Sequence, residues 1–329
     1  MIISRTPFRI SFFGGGTDYP VWYKENGGAV LSTTINKYCY LNCREFPPFF
    51  DVKHRIVWSK IELVNDVNEI EHPSVREAIK FLNLQDKGIE IHHSADLPAK
   101  AGMGASSSFT VGLLNAFYSM KGQMASKRQL AMDAIHLEQD LMKENVGSQD
   151  QVAAAYGGFN KILFGGENHV EVIPIGVPSQ QLAELQDNLM LFFTGLTKLT
   201  TEVAKEQIQN TPKKADELNQ MRKLVDEAVK TLSPNGDIDD FGKLLHETWQ
   251  LKRSLSSQIT NSTIDEIYET GMRAGALGGK LLGAGGGGFI LFYVKPENQE
   301  KVIESLKHLV HVPFKFESSG SQIIHYQPK

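Results

Sequence analysis

Short runs of β-branched and aromatic residues, separated by glycine clusters, extend from the first residue to about residue 43. This pattern predicts β-strands over residues 2–4, 8–13 and 30–35. Similar runs predict strands over residues 57–64, 88–92, 162–164, 170–173, 189–193 and 289–294. Apolar residues at helical spacing predict helices over residues 75–82, 126–143, 211–232, 238–255 and 263–277, and another after Ser108. The chain is therefore a mixture of sheet and helix, with helices more frequent in its second half.

The change in composition around residues 174–178 is the best candidate for a domain boundary. It would divide the chain into an N-terminal nucleotide-binding domain of residues 1–173 and a C-terminal domain of residues 174–329. The pattern contains no internal repeat and no low-complexity linker. A continuous two-lobed body is therefore equally compatible with it.

Composition and charge limit the classes of function. The chain has 329 residues, of which 41% are apolar and 22% charged, and these values are typical of a globular protein with a substantial core. Its net charge of −4 lacks the basic surface of a general nucleic-acid-binding protein, so we expect no nucleic-acid partner. An anionic ligand would have to be bound by a local group of hydrogen-bond donors or cations.

The sequence has no pattern typical of a signal peptide, a membrane-spanning helix or a cysteine-based site. The first twenty residues contain charged side chains and no apolar segment of a signal peptide, and no apolar stretch approaches the roughly 18 residues that span a membrane. We therefore expect a cytoplasmic protein with no membrane partner. Cys39 and Cys43 lack a second pair of ligands, which argues against a zinc site and against a disulfide framework.

Three glycine-rich segments, at residues 13–18, 101–108 and 283–288, carry the candidate chemistry. Clustered glycines leave backbone N–H groups accessible to phosphate oxygens. In the middle segment three serines follow the glycines and an apolar run follows the serines, which predicts a helix N-terminus beside a bound anion. A serine N-cap after a glycine turn is the simpler alternative. Two glycines and three serines within seven residues exceed what such a cap needs.

Other nucleotide-binding motifs do not fit. Gly283, Gly285 and Gly288 have the spacing of a dinucleotide-binding fingerprint, but a strand follows them instead of a helix, and the position twenty residues beyond Gly288 is His308, with no carboxylate beside it. Lys243 and Lys280 follow glycines, but each precedes a leucine where a Walker A loop needs Ser or Thr. The sequence also lacks the His-Arg-Asp and Asp-Phe-Gly of protein kinases. A nucleoside triphosphate would therefore have to be bound by a different motif.

The segment Pro98–Ser107 is similar to the central P-x-x-x-G-L-G-S-S motif of the GHMP kinase superfamily, named for galactokinase, homoserine kinase, mevalonate kinase and phosphomevalonate kinase. Met103 and Ala105 depart from that motif. Residues 5–20 and 278–289 resemble the N-terminal and C-terminal motifs of the superfamily, in the same order. The resemblance implies an α+β, two-lobed fold with mixed and antiparallel sheets and helices packed on them. It also implies an ATP-dependent carbohydrate kinase that uses Mg²⁺.

Three segments, FGGGTD (residues 13–18), GSQDQ (147–151) and YGGFN (156–160), resemble the D-glycero-α-D-manno-heptose 7-phosphate kinases. That family phosphorylates the anomeric C1 hydroxyl of a heptose phosphate on the route to GDP-heptose for surface polysaccharide. One alternative is another sugar kinase of the superfamily, acting on fucose, galactose or an N-acetylhexosamine. A regulator that binds sugar and nucleotide without catalysis is a second alternative. The chain could form a homodimer.

The resemblance assigns the reaction to two residues. Asp150 takes the place of the superfamily's catalytic aspartate and would accept the proton of the attacking hydroxyl. Arg9 would lie beside it, keep the carboxylate ionised and face the transferring phosphoryl group. From the residues alone, Asp150 could equally lie in an exposed polar turn, and Arg9 could be a surface cation on an edge strand.

Glu138 and Ser106 are the predicted magnesium ligands, with Ser107 as the alternative hydroxyl. Glu138 falls on the apolar stripe of the helix over residues 126–143, where an unpaired carboxylate is costly without a cation or strong donors. Its position upstream of Asp150 also resembles that of the family's metal-binding glutamate. A side chain that reaches solvent from the edge of the stripe is the alternative.

The remaining predicted contacts follow the same motifs. ATP would contact the middle segment and an aromatic residue that could equally belong to the core: Lys100, Ala101, Gly102, Met103, Gly104, Ala105, Ser106, Ser107, Ser108 and Trp58. The sugar phosphate would contact Gly16, Thr17, Asp18, Gly157, Gly158, Gly285, Gly286 and Gly287. Its distal phosphate needs a cation, for which the candidates are Lys24, Lys100, Lys161, Lys198 and Arg273.

Overall fold

The computed structural model describes residues 1–167, 169–196 and 200–327. The strands of these residues are β1 (Ile2–Phe13), β2 (Gly28–Glu45), β3 (His54–Val57), β4 (Ile61–Val64), β5 (Ile89–Ala95), β6 (Phe159–Gly165), β7 (His169–Pro174), β8 (Leu189–Phe193), β9 (Ala276–Leu281), β10 (Phe289–Val294), β11 (Val310–His311), β12 (Phe316–Glu317) and β13 (Gln322–Tyr326). The helices are α1 (Pro20–Asn26), α2 (Pro73–Phe81), α3 (Ala105–Met120), α4 (Lys127–His136), α5 (Gln149–Tyr156), α6 (Ser179–Asp187), α7 (Thr200–Asn210), α8 (Ala215–Thr231), α9 (Ile238–Ser254), α10 (Ser262–Arg273) and α11 (Pro296–Ser305).

The strands of the described residues form two sheets. The larger sheet has the order β13-β1-β2-β5-β3-β4, with β6 and β12 also paired to β2, and β7 paired to β6. It is mixed, because β3 runs parallel to β5 while pairs such as β1–β2 and β2–β5 are antiparallel. The smaller sheet has the order β11-β8-β10-β9 and is antiparallel. The predicted α+β class with mixed and antiparallel sheets is confirmed.

Strand β1 joins two segments that the sequence pattern predicts as separate strands. Every residue from Thr6 to Phe13 is buried, without the alternation of a strand that has one face in water. The reason is that α3, α5, α8 and α9 all pack against β1. Arg9 and Ser11 therefore lie inside the protein, and Arg9 is not a surface cation on an edge strand.

Helix α3 begins directly after the middle glycine segment and packs on β1 and β2. Gly112 permits the close approach to β1, because a Cβ atom at this position would lie 2.7 Å from the hydroxyl oxygen of Thr6. Most of α3 is buried, including Phe109, Leu113 and Phe117 of the predicted apolar run. This packing fixes the position of the helix N-terminus.

The helix predicted over residues 126–143 has two parts. The Ser126 hydroxyl accepts a hydrogen bond from the backbone N–H of Gln129 and so caps the start of α4. The Gln129 side chain donates to the hydroxyl of Tyr118. Helix α4 ends at His136, and Leu137–Leu141 forms one turn of π-helix. Such turns are frequent at functional sites, and this one carries Glu138.

The second half contains elements that the apolar pattern does not predict, namely α6, α7, α11, β9 and the short strands β11, β12 and β13. The helix predicted over residues 263–277 is wrong at its end, because α10 stops at Arg273. Gly275 then has a φ of +115°, and β9 follows. No helix among the described residues has the length and apolar character needed to cross a bilayer.

The chain crosses between the sheets near the predicted boundary and then returns. Strands β1 to β7 belong to the larger sheet and β8 to β11 to the smaller one, whereas β12 and β13 pair with β2 and β1. The division into residues 1–173 and 174–329 stays a prediction, and the last strands show that one cut does not separate the two sheets.

Candidate active site

All three glycine-rich segments contribute to one cleft. Its lining comes from the start of α3 and the loop before it, the segment between β1 and α1, the loop before α5, and parts of α9, β9 and the last glycine segment. The predicted site residues that line it are Arg9, Gly16, Asp18, Lys100, Ala101, Gly102, Gly104, Ala105, Ser106, Ser107 and Asp150. The structure therefore brings the predicted catalytic pair and the predicted phosphate loop together.

The start of α3 offers backbone N–H groups to the cleft. Lys100, Gly102 and Gly104 have left-handed backbone, with φ values of 57°, 78° and 75°. Gly104 is the N-cap of α3, and no side chain of the described residues caps this helix end. The N–H groups of the first turn therefore remain available for an anion at the positive end of the helix dipole. Residues 100–107 are referred to below as the loop wall.

The last glycine segment holds the loop wall in place. A Cβ atom on Gly102 would lie 2.4 Å from the carbonyl oxygen of Leu282, and one on Gly283 would lie 2.3 Å from the Cα of Gly102. The N–H of Phe289 donates to the carbonyl oxygen of Ala101 at 3.2 Å. Because these contacts join backbone to backbone, side chains at the two glycines would separate the segments.

Arg9 and Asp150 form a bidentate ion pair. Arg9 Nε and Nη2 donate to Asp150 Oδ1 and Oδ2, each at 2.7 Å, and Arg9 Nη1 donates to the carbonyl oxygen of Gly102 at 2.7 Å. The Arg9 side chain is 4% exposed and that of Asp150 23%. Asp150 lies in the first turn of α5, so it is not part of an exposed turn. The two parallel hydrogen bonds fix the carboxylate and leave further lone pairs accessible from the cleft.

Glu138 is completely buried beside the loop wall. Ser107 Oγ donates to Glu138 Oε2 at 2.9 Å, and Gln151 Nε2 donates to the same oxygen. The other oxygen, Oε1, has no partner of good hydrogen-bond geometry among the described residues, although the Thr110 hydroxyl is close enough to lower the pKa of the carboxyl group. Burial raises the pKa of Glu138 to about 7, although neighbouring donors lower it. The carboxylate does not reach solvent, and the predicted hydroxyl that contacts it is Ser107, while Ser106 is exposed.

The residues around Glu138 fit a magnesium ion that is held mainly by a nucleotide. Within the described part of the chain, no cluster of three or more His, Cys, Asp and Glu side chains could hold a metal ion alone. Magnesium bound to nucleotide phosphates keeps several waters and needs only one or two protein ligands. Glu138 itself does not line the cleft, but Ser107, which does, contacts it, so the buried Oε1 of Glu138 and the Ser107 hydroxyl are the groups that could meet that requirement.

Asp18 lies in the part of the cleft formed by the first glycine segment. Its Oδ1 accepts the N–H of Gly16 at 2.9 Å, and a Cβ atom on Gly147 would lie 2.0 Å from its Oδ2. Burial raises the pKa of Asp18, and the charge of Asp150 raises it further, while three hydrogen bonds lower it: from the Gly16 backbone, the Gln149 side chain and its own backbone. Ser11 and Gln149 line the same cleft, and each has a buried oxygen without a partner among the described residues. These oxygens can bind hydroxyl groups of a ligand.

Two buried lysines that the sequence analysis does not assign also line the cleft. Lys252 on α9 is 5% exposed and donates to the carbonyl oxygen of Gly283. Lys280 on β9 is 1% exposed and donates to the carbonyl oxygens of Ser11 and Phe12 at 2.9 and 2.7 Å. Burial lowers the pKa of both lysines, to about 8 for Lys252 and well below the usual range for Lys280. Lys252 and Lys280 are referred to below as the lysine wall.

The sequence contains a signal for Lys252. Leu245 and Trp249 lie on the buried stripe of α9, and Lys252 follows three residues later on the same stripe. A lysine on an apolar stripe is rarely buried without a reason. Lys280, Ser11 and Gln149 carry no comparable signal, because their burial depends on elements that are distant in the sequence.

Several predicted nucleotide contacts lie outside the cleft lining. Ser108 Oγ donates to the carbonyl oxygen of Pro7 at 2.9 Å, and Met103 is completely buried in the core. Trp58 Nε1 donates to Glu62 Oε1 at 2.7 Å, and its ring meets that of His72 edge-on at 4.8 Å. The role of Trp58 at the adenine stays a prediction.

Several predicted sugar contacts also lie elsewhere. The Thr17 hydroxyl donates to the carbonyl oxygen of Gly14 at 2.8 Å and is completely buried. Gly157 and Gly158 pack against residues 318–320. Gly285 and Gly286 contact Ile259, and Gly287 contacts Leu196. These contacts are within the protein, so the structure gives no support for a direct contact with the sugar, and the assignments stay predictions.

Of the candidate cations for a distal phosphate, Lys100 lines the cleft. Lys24 and Lys161 form ion pairs with Glu167 and Asp226 at 2.6 and 2.5 Å. Arg273 is exposed and donates to the Thr270 hydroxyl. Lys198 lies outside the described residues.

Two protein-family models match the chain and identify its superfamily. The model of the GHMP kinase N-terminal domain matches residues 73–158, and that of the GHMP kinase C-terminal domain matches residues 222–311, so together they account for more than half of the sequence. The chain belongs to the GHMP kinase superfamily. As the motifs of the cleft also indicate, this member is a sugar kinase, a phosphotransferase that uses ATP.

Individual relatives agree with this assignment. This kinase is 29% identical, over 93% of both chains, to the D-glycero-alpha-D-manno-heptose 7-phosphate kinase of Campylobacter jejuni subsp. jejuni. It is 26% identical, over 90% of its length and 30% of the relative, to the bifunctional fucokinase/GDP-fucose pyrophosphorylase of Arabidopsis thaliana. Its fold is similar to that of a D-glycero-D-manno-heptose 1-phosphate kinase from Bacteriodes thetaiotaomicron, with a TM-score of 0.81, 24% identity and 99% of both chains covered.

Proposed function

We propose that this kinase transfers the γ-phosphoryl group of ATP to the anomeric C1 hydroxyl of D-glycero-α-D-manno-heptose 7-phosphate. The product would be the 1,7-bisphosphate, on the route to GDP-heptose for surface polysaccharide. The observation that carries the phosphotransferase part is the Arg9–Asp150 pair, which lies between the loop wall and Asp18 in one cleft. Similarity to the Campylobacter jejuni relative supports the choice of sugar.

Asp150 is the proposed proton acceptor. The C1 hydroxyl oxygen forms a bond to the γ-phosphorus, the bond from that phosphorus to the β,γ-bridging oxygen breaks, and ADP leaves with the electron pair. The hydroxyl proton passes to Asp150. Because Arg9 holds both carboxylate oxygens at 2.7 Å, the Asp150 carboxylate is fixed in one orientation and can direct the hydroxyl toward the γ-phosphorus before it takes the proton.

The loop wall is the proposed site of the triphosphate. Its backbone N–H groups and the start of α3 would bind phosphate oxygens without reorganisation during transfer. Glu138 and Ser107 would hold Mg²⁺, with Ser106 as the second hydroxyl that the sequence suggests. When bound, the ion would neutralise charge on the β- and γ-phosphate oxygens.

The sugar would lie beside Asp18, Ser11 and Gln149. Asp18 accepts hydrogen bonds from sugar hydroxyls when ionised, and the fixed N–H of Gly16 keeps its orientation. The free buried oxygens of Ser11 and Gln149 provide further partners. These contacts are the proposed reason that the acceptor hydroxyl reaches Asp150.

A substrate panel tests the proposal. The purified protein is incubated with ATP, Mg²⁺ and D-manno-heptose 7-phosphate, fucose, galactose or an N-acetylhexosamine, and ADP release is measured. We expect the highest kcat/KM with the heptose phosphate, and a phosphorus NMR signal of a new phosphate on C1. A higher kcat/KM with an unphosphorylated sugar would contradict the choice of substrate. Binding of ATP and sugar without product would instead indicate a regulator.

A further inference from the structure

Lys252 lies where the loop wall meets the last glycine segment. Its ammonium group donates to the carbonyl oxygen of Gly283, and Gly283 packs directly against Gly102 of the loop wall. Lys252 is only 5% exposed, yet it lines the cleft. The ammonium group therefore faces the same space as the loop wall and the Arg9–Asp150 pair.

The positive charge of Lys252 is not matched by a close carboxylate within the described part of the chain. Asp18 and Asp150 attract it from a distance, whereas Arg9 repels it. Lys280 adds a second buried ammonium group that Lys252 and Arg9 both repel. Burying an ammonium ion without a counter-charge is costly. An anion in the cleft would remove that cost.

Lys252 also has hydrogen-bond capacity that the protein does not use. An ammonium group has three donors, and the contact with the Gly283 carbonyl uses one of them. Lys280 differs, because two of its donors bind the carbonyl oxygens of Ser11 and Phe12. Lys252 is therefore the member of the lysine wall that is better placed to bind a ligand directly, whereas the backbone of β1 holds Lys280.

We propose that Lys252 binds phosphate oxygen atoms of a ligand at this junction. The inference rests on the proposed function, because it makes Lys252 a further residue of the phosphoryl-transfer site. A phosphate ester has several oxygens that can accept hydrogen bonds from Lys252, from the loop wall and from Arg9 together. A neutral sugar alone would leave Lys252 and the N–H groups of the loop wall without an anionic partner, whereas Arg9 is already paired with Asp150.

Two phosphates can supply such oxygens. The transferring phosphoryl group must lie between the loop wall and the hydroxyl at Asp150, and Lys252 faces that space. The phosphate on C7 of the acceptor lies at the opposite end of the sugar from C1, so it would have to fold back to reach Lys252. The geometry favours the transferring group, where a fixed cation stabilises the charge that develops during transfer.

Binding of inorganic phosphate tests the site without turnover. Phosphate, added at constant ionic strength, should raise the melting temperature of the wild-type protein by mass action. Lys252→Met should lose most of this shift. Lys252→Gln should also lose most of the phosphate-induced rise in melting temperature. Because glutamine can still donate a hydrogen bond to Gly283, this loss would show that the positive charge of Lys252 is what binds phosphate. Lys243→Met, which removes an exposed lysine on the same helix paired with Asp240 at 2.7 Å, is the matched control and should keep the shift.

Either neutral variant that keeps the full phosphate shift would overturn the proposal. Without phosphate, both variants should melt at the wild-type temperature or higher, because they remove an unmatched buried charge. The phosphate experiment remains decisive even if the wild-type protein phosphorylates no sugar, so failure of the proposed function is distinguishable from failure of the site.

Steady-state kinetics identify the source of the phosphate. If Lys252 binds the transferring group, Lys252→Met should lower kcat about 100-fold or more with phosphorylated and unphosphorylated heptose alike. If it binds the phosphate of the acceptor, KM should rise for heptose 7-phosphate alone. Both results support a phosphate site. Values of kcat and KM within about twofold of wild type on all substrates would contradict it.

Discussion

The loop wall and the lysine wall line the same cleft but are built differently. The loop wall is one continuous stretch, residues 100–107, and its positive character comes from backbone N–H groups at a helix start. The lysine wall joins two side chains from α9 and β9, and its positive character comes from ammonium groups that are almost completely buried. A continuous stretch leaves a motif in the sequence, whereas two distant side chains leave at most a single buried position such as Lys252 on the apolar stripe of α9.

The two walls also differ in the sign of the charge that lacks a close partner. Beside the loop wall, burial raises the pKa of Glu138 to about 7, and in the lysine wall, burial lowers the pKa of Lys252 to about 8. Each shift moves the group toward its neutral form, because the protein does not supply a close opposite charge. A cleft of this kind is completed by ligands of both signs, which a complex of Mg²⁺ with a nucleotide would supply.

The largest effect is expected at Asp150, the carboxylate that both walls surround. Asp150→Asn keeps the shape of the side chain but removes the proton acceptor, so kcat should fall by about 10²–10⁴-fold. The dissociation constant of ATP should change little, because the triphosphate is assigned to the loop wall. Steady-state kinetics and a nucleotide titration measure the two quantities separately.

Asp140→Asn is the matched control for this variant. Asp140 is exposed and pairs with His136 at 2.7 Å, so its substitution should leave kcat unchanged. Because Arg9 loses a charged partner in Asp150→Asn, the melting temperature of that variant must be measured as well. Turnover at the wild-type rate by a folded Asp150→Asn protein would eliminate the proton-acceptor role.

The loop wall was predictable because its chemistry is local. Glycines followed by serines and an apolar run predict a helix start, and α3 begins within that segment at Ala105. Glu138 was predictable for a similar reason, since a carboxylate on an apolar helical stripe must be buried or paired. The sequence places these residues, and their roles in catalysis stay proposals.

The rest of the site depends on contacts that no local pattern reveals. Thr17 and Ser108 are hydroxyl residues in the predicted motifs, but their hydroxyls bind the carbonyl oxygens of Ala29 on β2 and Pro7 on β1. Whether a hydroxyl faces a ligand or a carbonyl is decided by the partner strand. Lys280 is the opposite case. Its sequence context does not fit a Walker A loop, yet β9 places Lys280 in the lining of the cleft, and no local pattern reveals this.

The second largest effect is expected from breaking the contact between the two walls. Gly102→Ala would place a Cβ atom 2.4 Å from the Leu282 carbonyl oxygen at a φ of +78°. The strain should destabilise the protein by about 1–3 kcal/mol and should raise KM for ATP. Gly122→Ala is the control, since its φ is +70° but its Cβ would meet open space. Equal melting temperatures for the two variants would show that the contact does not hold the loop wall.

A somewhat smaller effect should follow from neutralising the charge beside the loop wall. Glu138→Gln removes the ionised oxygen that has no partner, so the Mg²⁺ concentration needed for half-maximal turnover should rise by about 10–100-fold. Its melting temperature without ligands should not fall, because an unmatched buried charge is lost. Glu144→Gln, at a half-buried cleft residue, is the comparison. An unchanged requirement for Mg²⁺ would remove Glu138 from the metal site.

The smallest effect concerns the lysine wall and pH. Lys252 faces the charged groups Arg9, Asp18, Asp150 and Lys280, and its pKa is lowered to about 8 by burial and by Arg9. As pH rises through about 8, Lys252 loses its proton and its attraction for an anion. Sulfate keeps its charge over this range, so its affinity should fall about tenfold between pH 7 and pH 9. The fall should be much weaker in Lys252→Met and unchanged in Lys243→Met. The same slope in wild type and Lys252→Met would show that the loop wall alone binds the anion, and the two walls would then not share a ligand.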